Sequence, residues 1–293
     1  MTIVANFALL ASRRTIFDLP VCDLDWESAL SFTDELAALP VGQTVVSFVN
    51  AHNANLMVKQ ADYQNVLQKQ FVLPDGIGMD IASWFLHGER FPANLNGTDF
   101  VPALMTYMTR PKRIGLIGAT TPVVEKAAER FAQQCPWHRF VAISDGYLDH
   151  ERSLDVVKRI EDLQLDVLLV CMGTPRQEKW VAEYIKPEHA RVVLTGGALF
   201  DFVSGSVPRA PLLVRKLRLE WVFRLWQEPQ RLARRYLFGI PEFFVILMRF
   251  WMARGRGLSQ QTPSPRNDDR PVSGKEPDSA GKNPLPVQRY GTR

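Results

Sequence analysis

Between Thr44 and Gly197 the chain alternates two patterns. Short runs of β-branched and apolar residues, TVVSFVN (44–50), FVL (71–73), RIGLIGA (113–119), FVAIS (140–144), DVLLVCMG (166–173) and RVVLTGG (191–197), read as buried parallel strands. Between them, apolar residues recur every third or fourth position in NANLMVKQADYQNVLQKQ (53–70), PVVEKAAERFAQQ (122–134), LDVVKRIEDLQ (154–164) and PRQEKWVAEYI (175–185). That spacing predicts helices with one buried face. Strands alternating with helices predict βαβ units, hence an α/β, Rossmann-like fold with a mainly parallel sheet and helices on both faces. Ahead of this array, IFDLPV (16–21) reads as a short strand and WESALSFTDELAAL (26–39) as a helix that Asp25 can cap.

Two changes of composition divide the chain. After residue 206 the pattern becomes helical, aromatic and arginine-rich, and after residue 257 it becomes rich in Pro, Ser and charge with little to bury. The expected organisation is an α/β domain over 1–206, an amphipathic appendage over 207–257 and a disordered tail over 258–293. The whole chain carries a net charge of +4. The segment from Arg209 to Arg256 holds 11 Lys/Arg and 3 acids, or +8, so the remainder sums to −4. A basic end beside an acidic body suggests an anionic surface as partner. Its arginines are interleaved with Trp and Phe, as in EFFVILMRFW, which suits lipid better than a nucleic-acid backbone.

The stretch Tyr236–Met252 is interrupted by Pro241, Glu242 and Arg249, which makes it a poor spanning helix and a better interfacial one. The apolar run Ile3–Ala11 is followed, not preceded, by Arg13 and Arg14, so it is not read as an export signal. Three cysteines, Cys22, Cys135 and Cys171, fit neither a zinc site nor a disulfide framework and point to a reducing compartment.

A parallel sheet binds ligands at the carboxyl ends of its strands, and four polar or glycine-bearing clusters fall there. Asn50-Ala51-His52-Asn53 offers amides and an imidazole that suit sugar hydroxyls or a uracil edge, or simply a helix cap. Pro74-Asp75-Gly76-Ile77-Gly78 offers a carboxylate placed to take a proton from an attacking hydroxyl, or an Asp-Gly turn. Gly115 and Gly118 stand at a strand-to-helix junction that either holds a phosphate or permits close packing. Gly173, Arg176 and Gln177 surround a helix start able to hold a diphosphate. The dinucleotide fingerprint is incomplete at RIGLIGA, which weakens a nicotinamide-dependent reading. Asp23-Leu24-Asp25 reads as a turn and helix cap, and no Asp-x-Asp pair follows a strong strand, so no obligate metal or other cofactor is expected.

Taken together, PDGIG (74–78), CMGTPRQEKW (171–180), GGALFDFVSG (196–205) and RAPLLVRKLRLEWVFRLWQEPQRLARRY (209–236) resemble the WecG/TagA/CpsF glycosyltransferase family over about residues 17 to 240. FVNAHNANL (48–56) and NLNGTDF (94–100) look most like the xanthan-type GumM glucosyltransferase subgroup. The resemblance implies an inverting transfer that forms a β-linkage, a polyprenyl-diphosphate-sugar acceptor and an appendage that docks on the inner membrane from its cytoplasmic face. It implies Asp75 as general base. Asn50, His52, Gly76, Asn96, Gly118, Gly173, Arg176 and Gln177 would lie around the UDP-sugar donor, and Arg224, Arg231 and Arg235 would face the acceptor diphosphate. Where other branches carry Thr-x-Asn this chain has Asn50-Ala51-His52, and where many carry Arg it has Asn94. With these departures, the subgroup resemblance implies a plain hexose donor, glucose, in exopolysaccharide synthesis; the alternatives are an N-acetylmannosaminyl donor, or a non-catalytic membrane-peripheral adaptor. Self-association would mask an apolar appendage in solution.

Overall fold

A computed structural model describes residues 12–40, 42–211, 214, 220–227 and 229–259. The N-terminal run 3–11 lies outside the described residues, as does nearly all of the tail after 257. Six parallel strands form the sheet: β3 (Thr44–Val49), β4 (Phe71–Pro74), β5 (Arg113–Gly118), β6 (Arg139–Ser144), β7 (Leu165–Cys171) and β8 (Ala190–Thr195), in the order β4-β3-β8-β7-β5-β6. Successive side chains point to opposite faces. Phe71, Leu73, Val167, Leu169, Val192 and Leu194 therefore enter one core, while Val72, Leu168, Val170 and Val193 enter the cores on the other side. The first face is covered by α1 (Trp26–Ala38), α5 (Gly97–Tyr107), α6 (Thr121–Gln134) and α9 (Leu199–Val203). The second is covered by α2 (Ala51–Lys59), α3 (Ala61–Gln68), α4 (Ile77–His87), α7 (His150–Leu163) and α8 (Arg176–Tyr184). The α/β, two-faced parallel architecture expected from the sequence is the one observed.

Two local expectations change. IFDLPV is not one strand but the corner of an antiparallel hairpin, β1 (Arg13–Ile16) and β2 (Leu19–Cys22). Phe17 and Asp18 form its two-residue turn at φ 50 and 62, the backbone that such hairpins require. The helix expected over 53–70 is two helices that break at Gln60, which is extended at φ −124 and ψ 96. Met57 and Tyr63 are both fully buried, yet an unbroken helix would turn them about 120° apart. The break lets both reach the same core.

The basic segment contains α10 (Glu220–Gln227), α11 (Pro229–Leu237) and α12 (Gly239–Ser259). α12 runs through Pro241, which sits in its first turn where a missing N–H is harmless. Its inner stripe, Phe243, Ile246 and Leu247, enters the core formed by the hairpin, α2 and α4. Phe17 is 1% exposed, and its ring lies 5.7 Å from Phe243 and 5.0 Å from Phe250. Burial of that ring offsets the strain of a left-handed aromatic residue. Lys59 pairs with Glu242 at 2.5 Å, and Asn55 donates to the Gly239 carbonyl at 2.7 Å. Arg209, where the segment begins, bridges to Asp99 at 2.8 Å.

Candidate active site

All six strands are parallel, so the turns that follow β4, β3, β8 and β7 lie along one edge of the sheet. Asp75 follows β4 and Asn50 follows β3. The Asn50 amide nitrogen donates to Asp75 Oδ2 at 3.2 Å, while its Oδ1 accepts from the His52 and Asn53 backbone N–H groups at 3.0 and 3.3 Å. Asn50 thus caps α2, the second of its two expected roles, and also holds the Asp75 carboxylate. Gly76 adopts φ 83, open to glycine and strained for other residues, and its N–H donates to Asn94 Oδ1 at 2.6 Å. A Cβ on Gly78 would meet the Ala51 Cβ at 2.8 Å. Only a glycine here lets the starts of α2 and α4 converge, so the positive ends of two helices face the neighbourhood of Asp75.

The basic segment completes this corner. Arg235, on α11, reaches within 3.5 Å of Asn50 Oδ1. His52 feels it: burial first, then the charges of Arg235 and Lys59, push the imidazole down to about 4 from its usual 6.5. His52 is therefore neutral near pH 7 and offers one donor and one acceptor. Protonation in the unfolded chain begins near pH 6.5 but in the folded chain only near 4, so this group contributes stability above that window and loses it as pH falls through it. We expect His52→Gln to flatten the fall in melting temperature between those two pH values. An unchanged slope in thermal melts across the range would refute this.

A second group lies after β7 and β8. Gln177 is 2% exposed. Its Oε1 accepts from the Gly173 N–H at 3.2 Å and the Gly197 N–H at 3.1 Å, and its Nε2 donates to Glu178 Oε1 at 2.9 Å. Gln177 therefore ties the two strand-end turns together from below. Glu178 is fully buried, and that burial raises its pKa toward the neutral acid. Thr174 donates to it at 2.9 Å and accepts from Asn53 Nδ2 at 3.2 Å. Asn53, on α2, thus links this group to the Asn50–Asp75 corner. Gly173 and Gly197 have φ 82 and 59, with no atom within 4 Å of where a Cβ would stand.

Other expected residues have different surroundings, Gly118 at the end of β5 on the same edge. A Cβ on Gly118 would lie 2.3 Å from the Cys171 carbonyl oxygen, so close packing of β5 against β7 explains this glycine. Arg176 is exposed and donates to the Leu148 carbonyl at 2.6 Å. It lines a cleft of about 440 Å³ with Leu148, Trp180 and Tyr184 rather than joining Gln177. The Asn96 side chain caps α5 and contacts Asp99 at 3.0 Å. Arg224 and Arg231 lie on α10 and α11, and their side chains fall outside the described residues. Asp25 caps α1, as expected. Sequence reasoning passed over Tyr63, whose hydroxyl accepts from Asn53 at 3.1 Å; among helical core aromatics it carries no distinguishing signal.

The family described as "Glycosyl transferase WecG/TagA/CpsF family" matches residues 14–257, which include both groups and the basic segment. The chain belongs to this family. It is 32% identical over 241 residues to the N-acetylglucosaminyldiphosphoundecaprenol N-acetyl-beta-D-mannosaminyltransferase of Bacillus subtilis strain 168, covering 80% of this chain and 91% of that protein. Proteins of the same name are 29% identical in Bacillus spizizenii, covering 78% of this chain and 90% of that one, and 30% identical in Staphylococcus aureus strain MW2, covering 72% and 79%. The matched range includes the half-buried Asp75 carboxylate, and Arg235, which meets the same Asn50 amide.

Proposed function

We propose that the chain transfers one sugar from a UDP-sugar to a saccharide carried on a polyprenyl diphosphate, with inversion to a β-linkage. The carrying observation is the Asp75 carboxylate held by Asn50 at the sheet edge, with Arg235 on the same amide. In this reading Asp75 takes the proton of the acceptor hydroxyl, and the hydroxyl oxygen bonds to the anomeric carbon. The bond from that carbon to the UDP oxygen breaks on the opposite face, and UDP leaves with the electron pair. Arg235 and the helix dipoles at the starts of α2 and α4 offset the charge that grows on the departing UDP.

The donor we propose is a UDP-N-acetylhexosamine of the mannosamine type. Support comes from the names of the three relatives, which align over most of this chain. A plain hexose is the second reading, favoured by Asn50 and Asn94, which flank the Asp75–Gly76 turn. The protein would act from the cytoplasmic face of the inner membrane without spanning it, since α12 turns one apolar stripe into the core. By length and composition alone, the stretch Arg235–Ala253 would suffice to cross a bilayer.

The deciding assay offers a panel of UDP-sugars to a polyprenyl-diphosphate monosaccharide. We expect UDP-N-acetylmannosamine to exceed UDP-glucose in kcat/KM by at least about 10-fold, the discrimination one well-recognised group confers. A preference for UDP-glucose would install the hexose reading. No transfer from any UDP-sugar would refute the proposal.

A further inference from the structure

α4 is built inside out for a helix that faces water. A surface helix turns its polar residues outward and its apolar stripe inward. In α4 the polar residues Asp80 and Ser83 are 4% and 0% exposed, whereas Ile77, Trp84 and Phe85 face outward, Trp84 with 55% of its surface exposed. These three positions, at i, i+7 and i+8, share one helix face. The last polar residue of the helix, His87, is engaged with the Thr15 carbonyl at 2.9 Å.

The neighbour of α4 is α12, and the two share a core through Met79, Ala82, Phe243 and Leu247. On the other side of that seam α12 exposes Val245, Met248 and Trp251. Two adjacent helices therefore present apolar outer faces, both carrying tryptophan. A tryptophan has an apolar body and a polar edge, which suits the boundary between headgroups and acyl chains. The basic excess of +8 across Arg209–Arg256 favours an anionic bilayer over an uncharged one.

We propose that the outer face of α4, Ile77 with Trp84 and Phe85, inserts into an anionic lipid surface beside α12, so that the catalytic domain itself contacts the membrane. The inference rests on the membrane reading above and extends it. α4 begins two residues after Asp75, so the bilayer surface would lie next to the base and would deliver a lipid-carried hydroxyl from that side.

The test uses the full chain and vesicles of equal parts phosphatidylcholine and phosphatidylglycerol. Trp84→Glu with Phe85→Glu on α4 is compared with Val245→Glu with Met248→Glu on α12, melting temperature serving as the check on folding. We expect each pair to weaken partitioning by about 10-fold or more, the effect of withholding two large apolar groups from lipid. A second readout does not depend on charge insertion. The three native cysteines are buried, so Trp84→Cys can be labelled selectively with a polarity-sensitive dye, which should shift to the blue on vesicles. Loss of binding in the α12 pair alone, with no dye shift, would overturn the α4 contact and leave the membrane reading standing. A wild-type chain that ignores the vesicles would overturn both. If the α4 pair converts an oligomer to a monomer without altering vesicle binding, the face belongs to a second copy and the inference falls.

Discussion

Asp75→Asn is expected to lower kcat by about 10²- to 10⁴-fold, the usual cost of removing a general base, while UDP binds as in the wild type. The substitution keeps the shape of the side chain and removes its capacity to hold a proton. Asn50 can still donate to the oxygen of the new amide, so the 3.2 Å contact survives. The Asp75 N–H bond to the Val49 carbonyl, 2.9 Å long, belongs to the backbone and is untouched. The effect should therefore appear in turnover and not in affinity. Single-turnover kinetics with calorimetric UDP titration separates the two. If kcat is unchanged, Asp75 is not the base; if UDP affinity collapses with kcat, the carboxylate serves binding.

Leu247→Ala is expected to destabilise the fold by about 2–5 kcal/mol, and Phe243→Ala by about 3–5 kcal/mol. Both side chains are essentially buried, at 0% and 2% exposure, although they lie in the segment that composition marks as an appendage. They pack with Met57, Met79 and Phe17, so truncation does more than detach a tail: it opens the core under α2 and α4. Val245→Ala, on the outer face of the same helix, should move stability by less than about 0.5 kcal/mol. Urea unfolding of the three variants tests the contrast. Three equal midpoints would mean that α12 is not docked in solution.

Much of this was legible beforehand. The strands were, because a strand buried on both faces must be apolar throughout, and TVVSFV and DVLLVC have few polar positions. Their carboxyl ends follow from parallel topology, which puts Asn50, Asp75 and Gly173 on one edge. What stayed hidden depends on direction. Arg176 and Gln177 are consecutive, yet neighbours on a helix point about 100° apart, so one turns to the Leu148 carbonyl and the other into the protein. The hairpin was hidden because Phe17-Asp18 carries none of the glycine that marks such turns. The contact between Asn50 and Asp75 spans 25 residues and rests on strand order alone. The docking of α12 did leave a trace, Phe243, Ile246 and Leu247 at i, i+3 and i+4, which the surrounding aromatic residues obscured.

The glycines along the sheet edge are not equivalent for anyone who wishes to redesign the donor. Position 118 admits no side chain, since a Cβ there would stand 2.3 Å from the carbonyl oxygen of Cys171 on the adjacent strand. Positions 173 and 197 have empty space where a side chain would project, but φ 82 and 59 strain any residue other than glycine, asparagine least. For the donor site proposed above, a library should leave position 118 untouched and try little beyond asparagine at the other two.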